Sequence, residues 1–147
     1  MHISKVNVFN YRLLNQTSVS CEKDLSLIIG KNNCGKTSFL SVLSKCIGNK
    51  SEVGNFDFND FSTLFQKKLY KVVKGESAFQ EEELTGIRVD FYIEYNENDD
   101  LTNISKLMLD LEPQNTTVIL RFEYVLKNNL QKLIEQFTKY ETDRTTL

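Results

Sequence analysis

Residues 30 to 37 read Gly-Lys-Asn-Asn-Cys-Gly-Lys-Thr, two glycines five positions apart followed at once by a lysine and a hydroxyl, the G-x-x-x-x-G-K-[ST] spacing. The chemistry this spacing can do is phosphate binding. A loop that curls tightly enough to turn successive backbone N–H groups inward needs residues without a Cβ at its bends, which Gly30 and Gly35 supply. The N–H groups from about Asn33 to Thr37 then converge, backed by the partial positive charge of the helix that follows. Lys36, the candidate catalytic residue, would bridge β- and γ-phosphate oxygens as a point charge. The Thr37 hydroxyl would ligate a Mg²⁺ ion that also takes oxygens from those phosphates. Asn32, Asn33 and Cys34 complete the loop, and Ser38 extends the cradle through its N–H. A thiol at a helix start, Cys34, invites a redox reading, against the plainer one of a small residue tolerated beside phosphates.

Such a loop works only between a strand that fixes its entry and a helix that fixes its exit. Leu25 to Ile29 is a compact apolar run of the kind buried on both faces of a sheet, and Gly30 ends it. From Thr37 the residues Phe39, Leu40, Val42, Leu43, Cys46 and Ile47 repeat at helical spacing, and Gly48-Asn49 supplies a stop. Two strands precede this unit, one from Ile3 to Val8 leading into a turn at Asn10-Tyr11-Arg12 and a short one over Thr17 to Cys21. Beyond it, residues 49–60 are polar and irregular, and Ser62 is placed to cap a helix carrying Leu64, Phe65, Leu69, Val72 and Val73. Gly75 to Glu83 reads as a solvent loop. Ile87, Val89, Phe91 and Ile93 alternate with Arg88, Asp90, Tyr92 and Glu94, the period-two pattern of a half-buried strand, and Thr117 to Tyr124 is similar. Leu130, Leu133, Ile134 and Phe137 give a closing helix, after which the chain frays.

The 147 residues suit one domain, and 40% hydrophobic content is enough to build its core. Net charge is about −2 but unevenly spread: 11 Lys or Arg against 5 Asp or Glu in residues 1–74, and 7 against 15 in residues 75–147. The phosphate-handling half is therefore the basic half. Cys21, Cys34 and Cys46 contain no C-x-x-C pair, so neither a zinc ribbon nor a disulfide framework is indicated, and a reducing cytoplasm is the expected location. No apolar run approaches the roughly 20 residues of a membrane span, and no secretory leader opens the chain. His2 is the lone histidine, which excludes a Ser-His-Asp arrangement within these residues.

The class of P-loop protein is narrower than the loop alone implies. No Asp is followed three positions later by Gly, as small GTPases require, and Asn49-Lys50-Ser51-Glu52 lies too soon after Lys36 to be a base-recognition loop. Small-molecule kinases resemble chains that open on the P-loop strand, whereas two strands come first here. The order of strand, Asn10-Tyr11-Arg12 turn, apolar strand and the Asn-containing loop through Thr37-Ser38 resembles the amino-terminal lobe of ABC-type ATPases of the SMC, RecF and OLD group. It is closest to the OLD-like AAA ATPases of phage-defence systems. Asn59-Asp60-Phe61 is similar to a D-[DF]-F segment of that group. The resemblance covers residues 1–61 by motif and extends by strand pattern to about 126.

That resemblance implies an α/β fold, a P-loop NTPase lobe with a mixed sheet and flanking helices, with ATP and Mg²⁺ as ligands. It implies that Arg12 lies near the nucleotide phosphates, that Asn33 lines the γ-phosphate side, and that Asp60 serves the Mg²⁺ or the attacking water. It also implies homo-oligomerisation through ATPase heads, a nuclease or effector partner, DNA or RNA as target, and no membrane. Two expected parts are absent. All six glycines are isolated, so there is no Ser-Gly-Gly signature, and Leu107 to Pro113 imitates a Walker B strand with an extra Leu between its acids. Leu101, Ile104, Met108 and Leu111 instead fall on one helical face. Residues 1–147 therefore read as a partial ATPase head with the signature and Walker B half elsewhere, binding ATP without efficient hydrolysis on their own. The alternative is a non-hydrolysing nucleotide sensor that restrains or releases an effector.

Overall fold

The computed structural model describes residues 1–76, 86–102, 105 and 115–125. The imitation Walker B segment, the helical face through Met108 and Leu111, the closing helix over residues 130–137 and the frayed terminus lie outside the described residues.

Strand β1 (His2–Tyr11) and strand β2 (Leu14–Ser20) form a hairpin about a two-residue turn, Arg12-Leu13. Asn10 and Arg12 take positive φ, 58° and 47°. Asn tolerates that region, whereas Arg does so only where tertiary contacts hold it. Helix α1 (Lys36–Ile47) follows the glycine loop, then a 3-10 turn (Phe58–Asp60), helix α2 (Thr63–Val73), strand β3 (Ile87–Glu94) and strand β4 (Thr117–Tyr124). The sheet order is β2-β1-β3-β4 with every pairing antiparallel, so the α/β architecture is as expected, with a uniformly antiparallel sheet among the described residues.

The alternation along β1 and β3 puts Val6, Val8, Val89 and Phe91 on one face of the sheet, each at most 1% exposed. Phe39, Val42 and Cys46 of α1 and Phe65, Leu69 and Val73 of α2 join them in one buried cluster. Their three- and four-residue spacings make these stripes, as the helical period requires. Each fully buried side chain of this kind contributes about 1.5–3 kcal/mol over leaving it in water. The opposite sheet face is polar. Asp90 there accepts two hydrogen bonds from its cross-strand partner Arg121, at 2.7 and 3.2 Å. Ser62 caps α2, accepting from the Phe65 N–H at 3.2 Å.

One expectation fails. Leu25 to Ile29 pairs with no strand among the described residues, and Leu25, Leu27 and Ile29 are 80, 78 and 82% exposed. A strand buried on both faces needs a neighbour on each side. The four described strands pair in an open antiparallel order with β2 and β4 at its edges, and none of them forms a ladder with this segment. Composition marked the segment as suited to burial, and the described residues leave it uncovered.

Candidate functional site

The glycine loop hangs between that uncovered segment and α1. Gly35 is the N-cap of α1 with φ 96°, and Asn33 also has positive φ, 62°. Two residues in the left-handed region within three positions reverse the chain sharply enough to aim its amides at one point. No side chain caps α1 and no acidic residue occupies its first turn, so its first N–H groups and its dipole are left for an anion. Close packing constrains both glycines as well. A Cβ on Gly30 would lie 2.8 Å from the Cys34 sulfur, and one on Gly35 would lie 2.7 Å from a methyl carbon of Leu14. The start of β2 thus presses on the loop where it turns into the helix.

The Lys36 ammonium lies across the loop, donating to the Gly30 and Lys31 carbonyls at 2.6 Å each, 3.7 Å from the Cys34 sulfur. These contacts fix the charge over the mouth of the curl. A cleft of about 510 Å³ opens there, lined by Leu13, Asn32, Asn33, Gly35, Lys36, Thr37 and Ser38. Six of these seven are sequence-predicted site residues. Leu13, 63% exposed, was missed, since nothing in the spacing distinguishes it from a solvent residue in a tight turn. Gly30 and Cys34 belong to the same loop but do not line the cleft. Thr37 is exposed at its edge, free to meet an ion brought by phosphates. The residues present thus suit a nucleotide with its Mg²⁺: amides and Lys36 for the phosphates, one hydroxyl for the metal. Among the described residues no group of three or more His, Cys, Asp or Glu is placed to hold a metal independently.

Arg12 and Asp60 are brought together, although not at this cleft. Arg12 donates from Nε to Asp60 Oδ1 at 2.9 Å, with Nη2 2.8 Å from the same oxygen. Asp60 Oδ2 accepts from Lys45 of α1 and from the Asp57 N–H at 3.1 Å. Asp60 is fully buried. Burial pushes its carboxyl pKa up, but hydrogen bonds from Lys45, Asp57 and Arg12, with the Lys45 charge, outweigh that and hold it below the usual carboxylate range. Backbone bonds reinforce the junction: the Arg12 N–H donates to the Asp60 carbonyl and the Ser62 N–H to the Asn10 carbonyl, both at 2.8 Å. Tyr11 and Phe61 form an isolated bridge at the same place. Two motifs that look independent in the sequence, Asn10-Tyr11-Arg12 and Asn59-Asp60-Phe61, are therefore two halves of one clasp. Lys45, its third charge, sits on a helix whose pattern signals only its apolar face. The clasp holds the Arg12-Leu13 turn, whose Leu13 lines the phosphate cleft.

An antiparallel hairpin followed by a glycine loop that opens an amphipathic helix, with the lysine charge held over the loop and two further strands completing the sheet, defines a P-loop NTPase domain. The chain belongs to the AAA ATPase domain family, whose model matches residues 1–146. It is a P-loop ATPase of the group the resemblance indicated, that of SMC, RecF and OLD. Membership implies use of a nucleotide and usually of Mg²⁺. The chain is also similar to Endonuclease GajA of Bacillus cereus (strain HuB5-5), 29% identical over 136 residues, a match that covers 83% of this chain and 20% of that protein. The chain thus spans about a fifth of the length of this relative. No helix among the described residues is long and apolar enough to cross a membrane.

Proposed function

We propose that this chain is the ATP-binding lobe of an ABC-type ATPase head that dimerises on ATP and controls a nucleic-acid-directed activity, in phage defence or DNA repair. The observation that carries the nucleotide reading is the 510 Å³ cleft, where the amides around Gly35, the Lys36 ammonium and the Thr37 hydroxyl share one opening. Gly30, Asn32, Asn33, Cys34, Gly35, Lys36, Thr37 and Ser38 act together as the phosphate loop, with Thr37 as the protein's Mg²⁺ ligand. Leu13 offers the nucleotide an apolar wall. Arg12 and Asp60 act through the clasp, fixing the turn beside the loop. The nucleic-acid direction rests on the similarity to a relative named as an endonuclease.

No carboxylate lines the cleft among the described residues, which supports binding without efficient hydrolysis by these residues alone. The uncovered apolar run Leu25, Leu27, Ile28 and Ile29 supports the same view, since the remaining strands of a head would bury it. A sensor that holds an effector without turnover is the second reading, favoured by the same lack of a carboxylate. The test is direct. The chain should bind a fluorescent ATP analogue in Mg²⁺, Lys36→Ala should weaken that binding at least tenfold, and turnover should be negligible. A Lys36-dependent hydrolysis rate like that of ordinary ATPases, about 1 s⁻¹ or faster, would sink the partial-head proposal.

A further inference from the structure

A second cleft, of about 390 Å³, lies between the β1–β2 hairpin and α2, lined by Asn10, Asn15, Leu64, Phe65, Lys67, Lys68 and Lys71. Its chemistry differs from that of the glycine loop. Lys67, Lys68 and Lys71 are all exposed, and among the described residues none has a carboxylate partner. Three unneutralised ammonium groups on one rim are electrostatically unfavourable to assemble, in a protein whose net charge is −2. By contrast Arg12, Lys45, Arg88 and Arg121 are all paired with Asp60 or Asp90.

We propose that this cleft binds the phosphate backbone of a nucleic-acid duplex. The proposal takes its partner class from the nucleic-acid role argued above and adds the place of contact. Lys67 and Lys71 are one helical turn apart, a rise of about 6 Å, close to two phosphate steps of about 3.4 Å along one strand. The amide of Asn15 on the facing wall is of the type that reaches phosphate oxygens, whereas that of Asn10 donates to the Gly86 carbonyl at 3.3 Å and shapes the wall. A bilayer fits worse, because the apolar stripe that a membrane-surface helix must insert is spent here. Phe65, Leu69 and Val73 are 2, 3 and 7% exposed in the core. A single strand also fits worse, because the ring lining the cleft, Phe65, is buried and offers no stacking platform. The contact is to backbone and independent of sequence.

The experiment is fluorescence anisotropy of a labelled blunt DNA duplex with the full chain, titrated between roughly 50 and 200 mM salt. Lys67→Gln/Lys71→Gln should lower the slope of log affinity against log salt by about 1.8, from about 0.9 per phosphate contact. Across that fourfold salt range, wild type should then lose roughly 12-fold more affinity than the variant. Lys23→Gln/Lys50→Gln removes the same charge elsewhere and should leave the slope unchanged, and both variants should bind the ATP analogue as wild type does. Equal slopes for the two variants would overturn the site, as would tighter binding of the single strand. Lysine-dependent binding to phosphatidylserine vesicles with no duplex binding would overturn it in favour of a membrane surface. Absence of duplex binding with analogue binding intact refutes this site and leaves the ATPase reading standing. Loss of Lys36-dependent analogue binding is what refutes that reading.

Discussion

Asp60, fully buried, shows how many contacts a single side chain can hold together. The family resemblance implies a role for it toward Mg²⁺ or water, and in the structure each of its oxygens accepts from a cation, Arg12 on one and Lys45 on the other. Removing one member of a buried ion pair leaves charge uncompensated and typically costs 3–5 kcal/mol. Arg12 retains 40% side-chain exposure, which places Asp60→Ala near the lower end, about 3 kcal/mol by urea denaturation. The pH dependence has a definite sign. Because the folded carboxyl titrates below its ordinary value, its contribution is fully present above about pH 4 and is lost as pH falls through the depressed folded value. The stability gap between wild type and Asp60→Asn should therefore be constant from pH 7 to 5 and close below pH 4.

The thiols separate at the same scale. Cys46 is buried among the core residues, and burial pushes its pKa up to about 11, whereas Cys34 is exposed in the loop. At pH 7.5 a maleimide should modify Cys34 and spare Cys46 in the native chain, with mass spectrometry giving the sites. Mg-ATP should slow modification of Cys34. Equal rates with and without nucleotide would argue that phosphates do not occupy the loop.

At the scale of elements, the helices were legible because their signals are local. The four-residue recurrence from Phe39 to Cys46 and the Ser62 cap need only neighbours within a turn or two, and α1 and α2 begin within a residue of where the pattern puts them. Ser62→Ala should cost about 1 kcal/mol by removing the acceptor for the Phe65 N–H, with nucleotide affinity unchanged. Gly35→Ala should do more harm to function, since φ 96° strains any residue with a Cβ and the added methyl would push the Leu14 side chain aside. We expect at least a tenfold loss of analogue affinity, measured beside thermal stability. The alternating strands β3 and β4 were equally readable, because one core face and one polar face write themselves into the sequence at period two. Leu25 to Ile29 was misread for the complementary reason: an apolar run states a preference for burial and carries no information about whether a neighbouring strand is at hand.

For the molecule as a whole, that exposed run is the feature on which the partial-head proposal is most easily tested. Leu25, Leu27 and Ile29 are each about four-fifths open to water, exposure of the kind that the proposed remainder of the head would remove. Leu27→Asp should leave the stability of the isolated chain within about 0.5 kcal/mol, because no packing is lost. In a longer protein containing the rest of the head, the same change should disrupt folding or assembly, read by size-exclusion chromatography and ATP turnover. An equal loss of stability in the isolated chain would mean that the segment is already covered.

The sequence by itself determined the phosphate loop, the helix behind it and the alternating strands, since each is written in residue types within a few positions and follows from backbone sterics, dipoles and side-chain period. It also carried, in Asn10-Tyr11-Arg12 and the Asn-containing loop, the resemblance to a family that the comparison of residues 1–146 bore out. Only the tertiary structure decided that Arg12, Lys45 and Asp60 meet, that Leu13 walls the cleft, and that three lysines of α2 line a cleft with the hairpin without a carboxylate partner among the described residues. Those are contacts between segments tens of residues apart. Their free energy depends on burial and charge compensation in three dimensions, which no local spacing encodes.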